Sequence, residues 1–284
     1  MTSLRTFLGI GAQKAGTTRL AGYLAHHPHV YIPPIKEVHF FDLLGNDRGL
    51  RKRATLDIRL RHRFLEAAVA EDKDITAEMN EIRSIIDRFD IGHDPAKYRA
   101  MLMDAPPGKT ICGEFTPAYA AMSAEDIARI PQVLDRPRIL FILRNPVDRF
   151  LSQVSHHATP LTLKPQEVES PLHLLHKPGF AERTRYDWTL SSLDSAFPAE
   201  DIYVGFFEDL YGPEAEAYHH RICDFLDLDP ALGPKVPKGK AAKMRECDPD
   251  DRRALVEAFE PAYRDVKKRL GRLPDTWEAD LSSL

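Results

Sequence analysis

Residues 11–20, GAQKAGTTRL, place two glycines five apart, with a lysine between them and two threonines after the second, behind the apolar run 7–10. A strand ending at Gly11, a turn through Gly16 and a helix opening at Thr17 would turn free backbone N–H groups toward an anion. Glycine lets the backbone come close, and Thr17 and Thr18 add hydroxyl donors. The triphosphate loop GxxxxGK[ST] carries its lysine after the second glycine; here Thr17 takes that place and Lys14 sits inside the turn. Alone, the pattern reads as a phosphate or sulfate cradle, with an ordinary strand-to-helix connection as the competing reading.

A second anion holder is written in RILFILRNPVDRFLSQ, 138–153. Arg144 follows a strand, Asn145 can cap the next helix, Pro146 suits its first position and Ser152 lies two turns in. A guanidinium fork and a serine hydroxyl suit a separate phosphate. The alternative is an Arg144–Asp148 pair with Ser152 on the surface. The third group is KEVHFFD, 36–42, expected to be the next strand. Two residues apart on a strand, Glu37 and His39 share a face while Val38 points away. Glu37 is then placed to take a proton from an acceptor hydroxyl or amine, with His39 tuning it or orienting the substrate. A surface pair of Glu37 with Lys36 or Arg19 is the alternative.

These groups need a scaffold. Short apolar runs at 6–11, 37–41, 110–115, 138–143 and 202–207 have the length of buried strands, and helical patterns separate them. Alternation of this kind predicts an α/β fold, a central parallel β-sheet flanked by helices on both faces, with ligands at the carboxyl ends of the strands. The chain reads as one domain, 1–284, with a long insertion at about 43–109 forming a helical substrate-side cover. The front of that insertion, 48–63, carries seven Lys or Arg against one Asp. It reads as a solvated helical face or as a surface that draws in an anionic acceptor. Residues 248–271 read as a helix, with Asp248 as N-cap, Pro249 first in the helix and Gly271 as stop.

Composition narrows the class. With 43% hydrophobic and 29% charged residues, the chain is of the soluble globular kind. A net charge of −4 argues against a nucleic-acid partner, so a cationic site must be local. Three scattered cysteines do not make a disulfide scaffold and read as reduced, buried thiols, which points to a cytoplasmic protein. The start of the chain reads as a first strand, with neither a signal peptide nor a membrane span expected. His26 to His29 read as a turn at a helix end, with no metal-ligand spacing.

Residues 7–42, GEFTPAYA (113–120) and 138–153, taken in order, resemble the sulfotransferases that use 3′-phosphoadenosine 5′-phosphosulfate (PAPS), most closely the carbohydrate branch with the heparan sulfate N- and 3-O-sulfotransferases. The resemblance implies a P-loop-like sulfotransferase fold, with Lys14, Ala15, Gly16, Thr17, Thr18 and Arg19 gripping the 5′-phosphosulfate and Arg144 and Ser152 the 3′-phosphate. It implies Glu37 as base with His39 as runner-up, and His39 and Asp42 close to the acceptor. VPKGKAAKM (236–244) resembles the loop that closes over the nucleotide, so Lys238, Gly239 and Lys240 are expected at the 3′-phosphate or, equally, in a solvated loop. The implied reaction is in-line displacement at sulfur that releases adenosine 3′,5′-bisphosphate. Lys14 is chosen to stabilise charge on the leaving oxygen, and no metal is required. Tyr186 and Trp188 are expected in the core.

One departure stands out. The branch commonly has EK[ST] where this chain reads EFT, so Phe115 replaces a second active-site lysine, one that helps with the sulfuryl group or the acceptor. Either a neighbour replaces that lysine, or the acceptor is less acidic and more apolar. The expected acceptor is a hydroxyl of a glycan or of a glycosylated or other small molecule. Two other readings compete: a nucleotide-binding sensor or scaffold without turnover, and a nucleotide kinase, which lacks the GK[ST] lysine.

Overall fold

The computed structural model of the chain describes residues 4–35, 37–157, 170–236 and 247–284. Its centre is a five-stranded, wholly parallel sheet in the order β2-β3-β1-β4-β5. The strands are β1 Arg5–Gly11, β2 Val30–Tyr31, β3 Ile111–Phe115, β4 Arg138–Leu143 and β5 Ile202–Phe206. In β1, β3 and β4 both alternating faces are buried, as a parallel sheet covered on both sides requires. The run Ile139–Leu143 is wholly inaccessible, and each such side chain contributes about 1.5–3 kcal/mol of burial.

The helices that follow are α1 Thr17–Ala25, α2 Phe40–Leu43, α3 Asp47–Ala70, α4 Thr76–Ile91, α5 Pro95–Met103, α6 Ala124–Ile127, α7 Ile130–Val133 and α8 Pro146–His157. α1 and α8 leave the carboxyl ends of β1 and β4, which are neighbours in the sheet. Two turns far apart in sequence therefore meet at one edge. The later helix Pro249–Leu270 has the expected ends: Asp248 accepts from the Asp250 N–H, and Gly271 is left-handed at φ 69°.

Two expectations fail. Residues 37–41 are not a strand: Glu37 and His39 are both left-handed, at φ 51° and 56°, and α2 begins at Phe40. The second strand is instead the short Val30–Tyr31, seated on β3. Trp188 is 47% exposed on the outer side of the helix Tyr186–Ala196, whereas Tyr186 is buried as expected. The segment 43–109 is helical, with α3 and α4 packed as an antiparallel pair and α5 against β3. No residue of α3 is buried, which fits a solvated face. Arg61 of its basic stretch is neutralised across the pair by Glu78 at 3.3 Å and Glu81 at 3.5 Å.

Candidate active site

The turn 12–16 carries the chain from β1 into α1. Gly16 is left-handed at φ 77°, and a Cβ there would stand 2.9 Å from Leu210 Cδ1 and 3.0 Å from Phe207 Cδ2. A bare glycine is what lets the turn close onto that wall. No side chain caps α1 and its first turn holds no acid, so its N-terminus presents amide donors and a positive dipole end to an anion. Arg19, also on α1, lies over the Tyr211 ring at 4.4 Å.

Arg144 joins the second turn to the first. Its Nη1 donates to the Lys14 carbonyl at 2.7 Å, and its guanidinium covers the Phe207 ring at 4.5 Å. Asp148 pairs with Arg252 at 3.0 Å, and its charge also reaches Arg144, where it opposes the burial that lowers the arginine's pKa. Tyr186 donates to the Arg144 carbonyl at 2.7 Å. Asn145 caps α8, accepting from the Asp148 N–H at 3.0 Å, while its own N–H donates to Glu208 at 2.9 Å. Trp277 donates to the same Glu208 oxygen at 2.9 Å, so the end of the chain braces the Arg144 turn. Burial lowers the pKa of Lys14 below the usual lysine value, Arg144 adds to the effect, and Glu37 opposes it. Lys14 thus shares a field with both the second anion turn and the candidate base. Ser152 lies half-buried on α8.

The third group is a turn held from below. His39, 6% exposed, hydrogen-bonds Asp42 Oδ2 through Nδ1 at 2.8 Å. Its Nε2 stands 3.4 Å from Glu37 Oε2, an ionic contact without hydrogen-bond alignment. Glu37 and His39 therefore meet as the sequence suggests, through a left-handed turn and not through an extended strand. Burial works against the imidazolium, but the Asp42 and Glu37 carboxylates outweigh it and raise the His39 pKa.

What fixes this turn is a buried carboxylate that sequence reasoning passed over. Glu114 on β3 is 1% exposed and accepts from Tyr98 at 3.1 Å, Tyr119 at 2.7 Å and Thr116 at 2.7 Å. Thr116 Oγ1 in turn accepts from the His39 N–H at 3.4 Å, and Tyr119 Oη from the Phe40 N–H at 3.1 Å. Burial raises the Glu114 pKa against the pull of its three hydroxyl donors. The glutamate of GEFTPAYA therefore anchors the backbone that presents His39.

Three arginines close the site from outside. Arg88 on α4 donates to the Glu37 carbonyl at 3.1 Å and to Asp57 at 3.1 Å. Arg53 on α3 bonds Asp57 at 2.8 Å and lies 4.0 Å from the Glu37 carboxylate. Arg183 feels the Asp42 and Glu37 charges, which oppose a burial effect that lowers its pKa. Its neighbour Thr184 is held by the fully buried Arg149, whose Nε donates to Thr184 Oγ1 at 2.8 Å; burial pushes the Arg149 pKa down to about 10. Arg183 had no motif to reveal it, since only the fold brings residue 183 to residues 37–42.

Lys14, Ala15, Gly16, Thr17, Thr18, Arg19 and Arg144 thus gather at the carboxyl ends of β1 and β4, with Glu37 in the field of Lys14, His39 next to Glu37 and Asp42 bonded to His39. Phe115 borders the same region: with Glu37, Thr17 and Thr18 it lines a cleft of about 310 Å³. Lys238, Gly239 and Lys240 lie outside the described residues. Among the described residues no group of three or more His, Cys, Asp or Glu is arranged to hold a metal ion, and no helix is long and apolar enough to cross a membrane.

Comparison with known proteins follows the same lines. A family model described as "Sulfotransferase family" matches residues 7–231. No curated protein matches the sequence. Among solved structures, a sulfotransferase from Alicyclobacillus acidocaldarius superposes with a TM-score of 0.65 at 22% identity, covering 97% of this chain and 99% of that one. The sulfotransferase domain of the Synechococcus PCC 7002 olefin synthase gives a TM-score of 0.54 at 17% identity, covering 95% of each chain. At these identities the likeness is one of fold.

Proposed function

The chain belongs to the sulfotransferase family, and from that premise we propose that it transfers a sulfuryl group from PAPS to the hydroxyl of an acceptor, with Glu37 as base. The observation that supports the reading is that Arg144, after β4, donates to the Lys14 carbonyl, after β1, while Glu37 lines one cleft with Thr17 and Thr18. The uncapped N-terminus of α1, the Lys14 ammonium and the Arg144 guanidinium fit a ligand with separate anionic groups. The Arg19–Tyr211 and Arg144–Phe207 pairs add flat faces suited to a purine.

When bound, PAPS supplies the activated sulfuryl group and a bisphosphate leaving group. Lys14 stabilises the charge that grows on the departing oxygen, where a fixed cation lowers the barrier selectively. Thr17 and Thr18 hold the anion at the helix end, and Arg144 and Ser152 take the 3′-phosphate, joined by Lys238 to Lys240. Glu37 removes the acceptor proton, and His39, oriented by Asp42, steadies the carboxylate. The likeness of the motifs to the heparan sulfate branch supports Glu37 over His39 in that role. The helices of 43–109 form the acceptor-side cover, with Arg53 and Arg88 pinning the base turn. Of the expected acceptors, the cleft beside Glu37 favours a small molecule.

The test is transfer of labelled sulfate from PAPS to a broad hydroxyl panel. Wild type turns over and Glu37→Gln loses at least about 10²-fold in kcat while still binding adenosine 3′,5′-bisphosphate. Bound nucleotide without transfer to any acceptor speaks for a scaffold or sensor and against this reading.

A further inference from the structure

We propose that the acceptor carries its hydroxyl on an apolar chain lodged in the cleft between α1 and the loop after β2. The inference rests on the reading of Glu37 as base and names the class of substrate brought to it. One wall is a face of α1 stripped to small groups, Ala21, Gly22 and Ala25, and Ile32 and Phe115 stand among the residues that complete it. Glu37 is the one ionisable side chain among the described residues that line it. Thr17 and Thr18 at the start of α1 border the same space, so cleft, anion cradle and base are continuous. At about 310 Å³ it is at the small end of ligand pockets.

The chemistry of the lining chooses the occupant. A sugar ring needs partners for each hydroxyl it buries, and walls of methyl, methylene and ring carbon leave those hydroxyls unpaired at a penalty. An alkyl chain has no such requirement and gains from every methylene removed from water. Phe115 sets this character: its ring lies over Gly9 of β1, where a Cβ would stand 1.9 Å from Phe115 Cδ1, and meets Phe7 edge-on at 5.7 Å. The residue that replaces the lysine of similar enzymes is thus built into the apolar wall.

Gly22 makes the idea testable without disturbing the fold. A Cβ there meets nothing within 4 Å, so a larger side chain projects into open space while the helix gains a better helix former. The experiment titrates 1-alkanols of rising length, and a methyl glucoside, into protein loaded with adenosine 3′,5′-bisphosphate, followed by ligand-observed NMR. Affinity is expected to rise about fourfold per methylene until the cleft is full, with the glucoside far weaker than the longer alkanols. Gly22→Leu flattens that gradient, and Gly22→Ala weakens it less; both keep wild-type nucleotide affinity and melting temperature. A flat gradient in wild type, tighter glucoside binding, or a gradient that survives in Gly22→Leu overturns the proposal. The gradient is read without sulfate transfer, so its failure is distinct from failure of the sulfotransferase reading, which shows as loss of 3′-phosphate preference.

Discussion

The Arg144 guanidinium donates to the Lys14 carbonyl at 2.7 Å across 130 residues of sequence. The contact ties the end of β4 to the turn after β1 and joins the two turns into one structure. Because β1 and β4 are paired in parallel, Leu8 against Ile139, the two turns emerge side by side. Burial lowers the Lys14 pKa, and repulsion from Arg144 lowers it further, while Glu37 opposes both. A polyanion that binds there relieves that repulsion, which is the physical basis for expecting two separate anionic groups on the ligand.

Glu114 acts through the backbone of His39 and Phe40. Glu114→Ala leaves three buried hydroxyls without their acceptor, at about 1–3 kcal/mol each before relaxation. Glu114→Gln keeps the shape but cannot accept on both sides, because Thr116 and the two tyrosines use different oxygens. The expected result for Gln is a folded protein with kcat reduced and nucleotide affinity unchanged, read from turnover beside calorimetry. Equal losses in both would mean that Glu114 only supports the fold.

His39 gives stability a pH dependence. Asp42 and Glu37 raise its folded pKa, while burial and Arg53 oppose them, and Glu114 lies within its field. A raised folded value means a contribution fully present below the unfolded histidine pKa of about 6.5 and lost as pH rises through the folded value. Urea unfolding of wild type and His39→Gln from pH 5.5 to 9 should show the gap between them largest at low pH and shrinking upward. A gap that widens with pH contradicts the assignment.

Gly9 and Phe115 are Cα partners across β1 and β3, and the three atoms nearest a Cβ at Gly9 all belong to the Phe115 ring. Gly9→Ala therefore destabilises strongly in wild type and far less in Phe115→Ala. A double-mutant cycle in denaturant should give a coupling of about 1–3 kcal/mol. Additive effects would show that the ring does not need the bare strand beneath it.

The parts of the fold that local chemistry dictates were legible. Residues 138–143 form a strand because the run is apolar on both faces, and Asp248, Pro249 and Gly271 bound a helix as their capping chemistry predicts. The strand–turn–helix at 5–25 was legible because the apolar run, the glycine spacing and the threonines that open the helix are all local. Residues 37–41 misled because an apolar run of strand length also suits a buried turn. The turn is held by bonds from the His39 N–H to Thr116 and from the Phe40 N–H to Tyr119, 77 and 79 residues apart in sequence. Arg183 was hidden for the same reason, reaching the site on a segment that Arg149 anchors. Trp188 shows the converse: aromatic type suggested core, and its position on the helix decided otherwise.

The joined turns are proposed to hold a nucleotide with a 3′-phosphate. Calorimetric titration of adenosine 3′,5′-bisphosphate beside AMP and magnesium ATP, on wild type and Arg144→Ala, tests it most directly. Wild type should bind the bisphosphate tightly and AMP weakly, and the variant should lose that preference. Equal affinity for AMP and the bisphosphate in wild type, or efficient displacement by magnesium ATP, would contradict it.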